Sequence, residues 1–547
     1  MQTSDQIAEM FRAYGVSHFF FVPVILPEAQ KRMSAIGITP VMTHGEKAAA
    51  YMADGYARVS GKVGVCGAQA IGSSNLAAGL RDPYMAWVPV LALSGVPDAA
   101  TRHRNLYQDA DDHGAFEAVT KWNGHVPDDS RFPDLLRQAF RTAATPACRP
   151  VHLEIAGATG ATGDSAAMAD GRAEPRYGRA PSDRPQADPG AVAQALSVLT
   201  AAQRPVILAG NGVARSGAAA AVREFAEATQ TPVVMSLNGM ATIPYDHPLY
   251  TGVVGHYGAD GANKVLLEAD VILVLGSSLG SMTTKHWTLI PDAAKIIQVD
   301  ARGEEIGRNF AVEVPLVADI RAAVAQLSSG ASVTSPEPWR DRVTQLRDEW
   351  RREIADAETS AAVQIRPERL FAQLATEMAD DGIIVGDTGH AGHWSARHIQ
   401  LRDGQSMIRA AGSLGWSLPA SIGAKCALPD REVICVTGDA GFYYHVAELE
   451  TARRYGVNVI VVINNNRSMN QEAKLWDAGN AEQEKNWIFT DASFTDVARG
   501  FGCYAVRVDD PADFAGALEK ARGSGLPAVI DVRTDPAVVA PPSYGPA

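Results

Sequence analysis

Short apolar runs alternate with helical patterns along most of the chain. In the first third, PVM, VGVCGA (63–68) and VPVLALSG (88–95) read as buried strands, with AAAYMADGYARV as a helix between the first two. In the middle, PVILAGNG (205–212) runs into a single predicted helix, ARSGAAAAVREFAEA, followed by the strands PVVMS, DVILVLGS (270–277) and KIIQVD (295–300). In the last third, IIVGDTG, VICVTGDA (433–440), VNVIVVINNN (457–466) and PAVIDVRT (527–534) are strands. These runs are continuous and β-branched rather than alternating, which suits strands covered on both faces. Strand–helix–strand order then predicts an α/β protein built of doubly wound parallel sheets.

Two stretches lack periodicity and are rich in Gly, Ala, Pro, Ser and charge: about 157–190 and about 328–340. Both read as linkers. They divide the 547 residues into three blocks, 1–165, 190–330 and 355–547, each of ordinary domain size and none an obvious repeat of another. The formal charge of −13 comes without a basic block, which argues against a nucleic-acid groove. No run of 18 apolar residues is present, so no membrane span is expected, and MQTSDQIAEMF does not read as a secretory signal. Five scattered cysteines without a CxxC pair suit a reducing cytoplasm and neither a disulfide framework nor a zinc site.

The strongest chemical signal is VTGDAGFYYHVAELETARRYGVNVIVVINNN. A strand ends at Thr437 and turns through Gly438, Asp439, Ala440 and Gly441; a helix follows, and a second strand ends in Asn464-Asn465-Asn466. Asp439 and Asn466 are 27 positions apart, one βαβ unit. Their loops therefore share the carboxyl edge of a parallel sheet, where such sheets bind ligands. Oxygen ligands on neighbouring loops suit Mg²⁺, and small residues beside Asp439 let backbone N–H groups approach a diphosphate. Gly-Asp and Asn clusters also serve purely local hydrogen bonding at strand ends.

This segment resembles the thiamin diphosphate (ThDP) motif, which opens with Gly-Asp-Gly and closes with Asn-Asn. Ala440 stands in the position of the motif's last glycine, a loss of freedom at positive φ. The resemblance implies Asp439 and Asn466 as metal ligands through their side chains and Ser468 through its carbonyl. It extends to THGEKAAAYMADGYAR, SSNLAAGLRDPY, RPVILAGNGV and GSLGWSLPASIGA, so it covers nearly the whole chain. The sequence is thus similar to the acetolactate synthase, pyruvate oxidase and benzoylformate decarboxylase superfamily. That implies a pyrimidine-binding domain, a central domain and a diphosphate-binding domain, in that order. In the family a glutamate lies nine residues before the Gly of GYAR, as Glu46 lies nine before Gly55. It activates the cofactor through the aminopyrimidine ring. Outside that context, an acidic residue opening a helix is favoured by the dipole alone.

The resemblance assigns further residues. Ser413 and Leu414 fall in the loop that supports the bent cofactor; Thr388, Gly389 and His390 fall in a loop that contacts the diphosphate; Gly438, Ala440 and Gly441 surround it. Gln108 has the spacing of a glutamine aimed at the thiazole and substrate, and His113 is a candidate proton shuttle. Several positions depart from the family: Val22 and Val24 stand where glycines are usual, AQAIGSSN replaces a Ser-Gly-Pro-Gly segment, and Gly45 stands where histidine is frequent. Ser278 stands where flavin-carrying relatives have an arginine, so FAD is not expected. The implied activity is ThDP- and Mg²⁺-dependent decarboxylation or carboligation of a 2-oxo acid. The alternatives are a C–C lyase, such as a 2-hydroxyacyl-CoA lyase or a benzaldehyde lyase-like enzyme, and a ThDP-binding protein without turnover. The family pairs Glu46 of one subunit with Asp439 of another, which implies a homodimer or homotetramer with shared sites. The substrate is left open, because segments such as 467–490 and the tail APPSYGPA can contribute to its pocket.

Overall fold

A computed structural model describes residues 3–160, 171–330, 333–477 and 479–540. It contains three six-stranded sheets in which every named strand pair is parallel. The first comprises β1 (His18–Phe21), β2 (Thr39–Met42), β3 (Gly64–Ala68), β4 (Val90–Val96), β5 (Trp122–Val126) and β6 (Val151–Ala156), in the order β2-β1-β3-β4-β6-β5. The second comprises β7 (Pro205–Ala209), β8 (Val233–Met235), β9 (Tyr250–Val253), β10 (Val271–Leu275), β11 (Lys295–Asp300) and β12 (Val314–Val317), in the order β12-β11-β10-β7-β8-β9. The third comprises β13 (Ile383–Gly386), β14 (Ser406–Arg409), β15 (Val433–Gly438), β16 (Ile460–Asn465), β17 (Tyr504–Val508) and β18 (Ala528–Arg533), in the order β14-β13-β15-β16-β18-β17. The first and third sheets share one strand order, a kinship that their sequences do not display.

The predicted strands form at the predicted places. β3, β4, β7 and β10 are buried at every position, as their unbroken apolar runs require. The sequence reading needs correction elsewhere. The helix expected after β7 is two helices, Asn211–Ser216 and Ala219–Thr229, because Gly217 between them takes φ 62° and caps the first. The stretch 328–340 is mostly not a linker: one helix runs to Gly330 and the next, Glu337–Glu358, begins inside it. That long helix buries Trp339, Val343, Leu346, Trp350 and Ile354 in the core of the second sheet. Of the linker expected at 157–190, residues 161–170 lie outside the described residues; further on, Gly178 lies against the carbonyl of Tyr14 and Arg179 is bridged to Lys62 in the first domain, whereas Arg184 and Ala187 already pack on the central domain, against Asp319 and Gln326. Residues 541–547 of the tail also lie outside the described residues.

The first and third sheets share one hydrophobic cluster. Its centre is the crossing of helix Glu46–Ser60 with helix Ser417–Ala427. Gly55 lies against the carbonyl of Ala420 and Gly423 against that of Met52, so small residues let the two backbones touch. No helix among the described residues is long and apolar enough to cross a membrane.

Candidate active site

A cleft opens at the carboxyl ends of β13, β15 and β16. In the order β14-β13-β15-β16, the chain reverses its direction of travel between β13 and β15, and ligands bind α/β sheets at such switch points. Thr388, Gly389 and His390 line the cleft after β13; Leu414 lines it after β14; Gly438, Asp439, Ala440 and Gly441 after β15; Asn466 and Ser468 after β16. The structure therefore brings ten of the predicted site residues around one cavity. It adds Ala391, Gly412, Asn464 and the run Met469–Glu472, which sequence reasoning did not single out. Asn464 was legible in the asparagine run; Met469–Glu472 carried no motif, because a fold-back of 467–489 places it. In that fold-back the Met469 N–H donates to the Trp487 carbonyl at 2.8 Å, and the Phe489 N–H donates to the Arg467 carbonyl at 2.8 Å.

Local chemistry explains the turn residues. Gly389 sits at φ 67°, ψ −140°, a conformation open to glycine, immediately before helix His390–His398. A Cβ on Gly441 would lie 2.5 Å from Thr437 Oγ1 and 3.1 Å from Asp387 Oδ2, so no side chain fits there. Ala440 is the second residue of helix Asp439–Tyr444 and does not take positive φ. The freedom lost with the motif's glycine is thus not needed.

Asp439 is buried, and among the described residues it has no ion-pair partner. Its Oδ1 accepts the Ala440 N–H at 2.7 Å and its Oδ2 the Ser468 N–H at 3.0 Å. The Ser468 N–H is shared with Asn466 Oδ1, also at 3.0 Å, so one amide knots the two loops together. Burial pushes the Asp439 carboxyl up to about 7, against the lowering effect of the Ala440, Ser468 and Arg467 amides. Among the described residues, Asn464 Oδ1 is buried without a hydrogen-bond partner. A buried carboxylate lacking a counter-charge, beside an amide oxygen and a backbone carbonyl, is a donor set that a hard divalent cation fits. At the head of the Asp439 helix, a Cβ on Gly438 would meet nothing within 4 Å, which leaves room for an anion there.

The other predicted residues lie elsewhere. No residue of the first sheet or its helices is among those lining the cleft. Glu46 opens its helix behind Gly45, its carboxylate against Gly72 and within 3.3 Å of Asn75 Nδ2. Gln108 is half-buried at φ 63° in the segment after β4. His113 Nδ1 is 3.4 Å from Glu154 Oε2, whose other neighbour is His125 at 2.9 Å. Ser413 does not line the cleft, although its loop does. His393 and Trp394 are buried and pack edge-to-face; burial lowers His393 to about 2. Val22 and Val24, where glycines are usual, do not take positive φ; the left-handed residue of that turn is Leu26, at 47°.

A second cavity lies at the switch point of the central sheet, lined by Asn211 and Gly212 after β7, Ser277 and Ser278 after β10, and Asp300 and Arg302 after β11. Arg215 also lines it, and burial lowers its guanidinium to about 10. The cavity thus has cationic groups although Ser278 is not one.

Three parallel α/β domains, with an acidic cation-seeking site at the last one's switch point, define a diphosphate-binding class of protein. Comparison gives the family. Models of the thiamine pyrophosphate enzyme family match the N-terminal TPP binding domain at residues 1–116, the central domain at 192–327 and the C-terminal TPP binding domain at 387–532. The chain belongs to this family, the thiamin diphosphate-dependent enzymes of the acetolactate synthase and pyruvate oxidase group. It is 28% identical to the acetolactate synthase isozyme 2 large subunit of Escherichia coli, over 98% of this chain and 96% of that protein. It is 27% identical to the acetolactate synthase large subunit of Lactococcus lactis, over 94% and 90%. The corresponding protein of Corynebacterium glutamicum is 29% identical, over 93% and 82%. The protein is accordingly a thiamin diphosphate-dependent enzyme of C–C bond chemistry, acetolactate synthase-like in sequence.

Proposed function

We propose that this enzyme uses Mg²⁺ with thiamin diphosphate to decarboxylate a 2-oxo acid and to join the two-carbon or longer acyl unit to a second carbonyl. The observation that carries the reading is the cleft itself: ten residues from four strand ends, around a buried Asp439 with no ion-pair partner among the described residues. Asp439, Asn466 and the Ser468 carbonyl would hold the metal, and the Gly438–Gly441 turn with Thr388, Gly389 and His390 would receive the diphosphate. Leu414 and the loop of Ser413 would support the cofactor's bend. Bound there, thiamin diphosphate supplies a thiazolium that stabilises carbanion character on the substrate's former carbonyl carbon.

This chain's residues provide the rest. The Glu46 carboxyl would hold a proton at an Oε atom and offer it to the aminopyrimidine ring, a role that would let the ring's exocyclic nitrogen act as a base. Glu46 does not line the cleft of its own chain, and the reading is that it would serve the cleft of a partner subunit, in a homodimer or a dimer of such dimers. Gln108, on the exposed segment after β4, would reach the same shared site. His113, held against Glu154, would take part only by leaving that contact. The central domain is proposed to work without a flavin, on the strength of Ser278. The domain limits 1–165, 190–330 and 355–547 and a cytoplasmic setting complete the proposal.

The experiment is direct. The purified protein, given thiamin diphosphate and Mg²⁺, is offered a panel of 2-oxo acids with and without aldehyde or 2-oxo acid acceptors. Release of CO₂ together with a condensed hydroxyketone is expected. Turnover of a 2-hydroxyacyl-CoA or a hydroxyketone alone would replace the proposal with a lyase, and cofactor binding without turnover would replace it with a non-catalytic role.

A further inference from the structure

A buried polar network joins the first domain to the loop that supports the cleft. Asp82, fully buried on helix Ser73–Ala86, accepts three consecutive amides of the last domain: Ala411 N–H at 2.9 Å, Gly412 N–H at 3.1 Å and Ser413 N–H at 3.0 Å. Three successive N–H groups turned to one point ordinarily make an anion-binding concavity. Here the anion is a side chain from another domain. Asp82 Oδ1 also receives Arg58 Nη2 at 2.7 Å. Arg58 in turn donates to the Arg409 carbonyl at 2.6 Å, and its guanidinium lies 4.4 Å from the Trp416 ring centre. Further along the loop, buried Asp387 accepts the Gly415 N–H at 3.0 Å and the Ser417 hydroxyl at 2.6 Å. The stretch 411–415 is thus strung between two carboxylates, and the part between them carries Gly412 and Leu414, both on the cleft.

We infer that Asp82 is a positioning residue of the cofactor cleft: through the amides of residues 411–413 it sets where Leu414 stands relative to the diphosphate-binding turn of the same chain. The inference rests on the reading of the cleft as the thiamin diphosphate site. Domain adhesion does not account for the arrangement. The helix crossing at Gly55 and Gly423 already joins the two domains through backbone contact. Asp54 already takes Nε and Nη2 of Arg58, at 2.7 and 2.6 Å, and the indole N–H of Trp416 at 2.8 Å. The three amide bonds of Asp82 fall on consecutive residues of the loop itself. Each first domain then serves two clefts, its own through Asp82 and the partner's through Glu46.

The test uses the full-length protein with Asp82→Asn, Asp82→Glu and, as a control, Asp319→Asn. Asp319 is a buried carboxylate of the central domain paired with Arg184 at 3.0 Å, away from the cleft. Amide hydrogen exchange over 409–416, calorimetric affinity for Mg²⁺–thiamin diphosphate, kcat and KM at saturating cofactor, and thermal unfolding are measured. Asp82→Asn is expected to speed exchange at 411–413 and to weaken cofactor affinity about tenfold or more, the scale of losing a charge-assisted hydrogen bond. The substrate KM should stay within about twofold, since the lost contacts address the loop and not the substrate. Asp82→Glu keeps the charge and should fall between wild type and Asp82→Asn. Asp319→Asn should lower thermal stability and leave exchange over 409–416 and cofactor affinity unchanged. Wild-type affinity and exchange in Asp82→Asn would overturn the inference, as would an equal loss of affinity in Asp319→Asn. Should Asp82→Asn fail to fold, unchanged exchange and affinity in Asp82→Glu overturn it instead. If the wild type binds no thiamin diphosphate, the reading of the cleft fails and the inference with it; wild-type binding with unaltered variants sinks the inference alone.

Discussion

The carbonyl oxygen of Met52 lies 1.9 Å from where a Cβ on Gly423 would stand. Helix Glu46–Ser60 and helix Ser417–Ala427 therefore meet backbone to backbone, and this contact seats the first domain on the last within one chain. Gly423→Ala forces the helices apart with no flexible side-chain end to yield. A loss of about 2 kcal/mol or more is expected, within the range for overpacked interiors. Chemical unfolding of the variant, with an unchanged denaturant midpoint as the contrary result, checks it.

Asp439→Ala should abolish Mg²⁺-dependent binding of thiamin diphosphate. The residues left, Asn466 and the Ser468 carbonyl, are neutral and cannot offset the cation's charge. Asp439 is buried with no ion-pair partner among the described residues, so its removal takes away an uncompensated charge together with two amide hydrogen bonds, and the thermal stability of the cofactor-free protein should change little. Calorimetry with cofactor and thermal scanning without it read the two effects separately; unchanged affinity would remove Asp439 from the metal site.

The purified protein is expected to be colourless. The expectation rests on the sequence resemblance, by which Ser278 stands where flavin-carrying relatives would have an arginine, although Arg215 and Arg302 line the same central cavity. A yellow chromophore released in stoichiometric amount on denaturation would reverse the expectation.

Glu46→Gln should leave the cofactor bound and reduce turnover at least ~100-fold, the usual scale for lost acid–base work. Mixing that inactive chain with inactive Asp439→Ala should restore activity, because one of the two sites in a mixed dimer then holds both native residues. With equal amounts and random exchange, about half the dimers are mixed, and activity should approach about a quarter of wild type. Light scattering and mass analysis establish that mixed dimers form. If they form and remain inactive, Glu46 and Asp439 do not work across an interface.

Much of this protein is determined by the sequence alone. The unbroken apolar runs of β3, β4, β7, β10 and β15 are legible because strands buried on both faces need no alternation. The turn at Gly438–Gly441 and the asparagines ending β16 are legible because a cation and a diphosphate demand particular atoms at particular spacings. Tertiary structure decided the rest. The break at Gly217 and the packing of helix Glu337–Glu358 depend on what each segment meets, which local periodicity does not encode. Met469–Glu472 reaches the cleft only because residues 467–489 fold back on themselves. Asp82 reads in sequence as one acid on a helix. It is proposed as a support of the cleft because two domains, more than 300 residues apart along the chain, bring a carboxylate to three successive amides of the loop after β14.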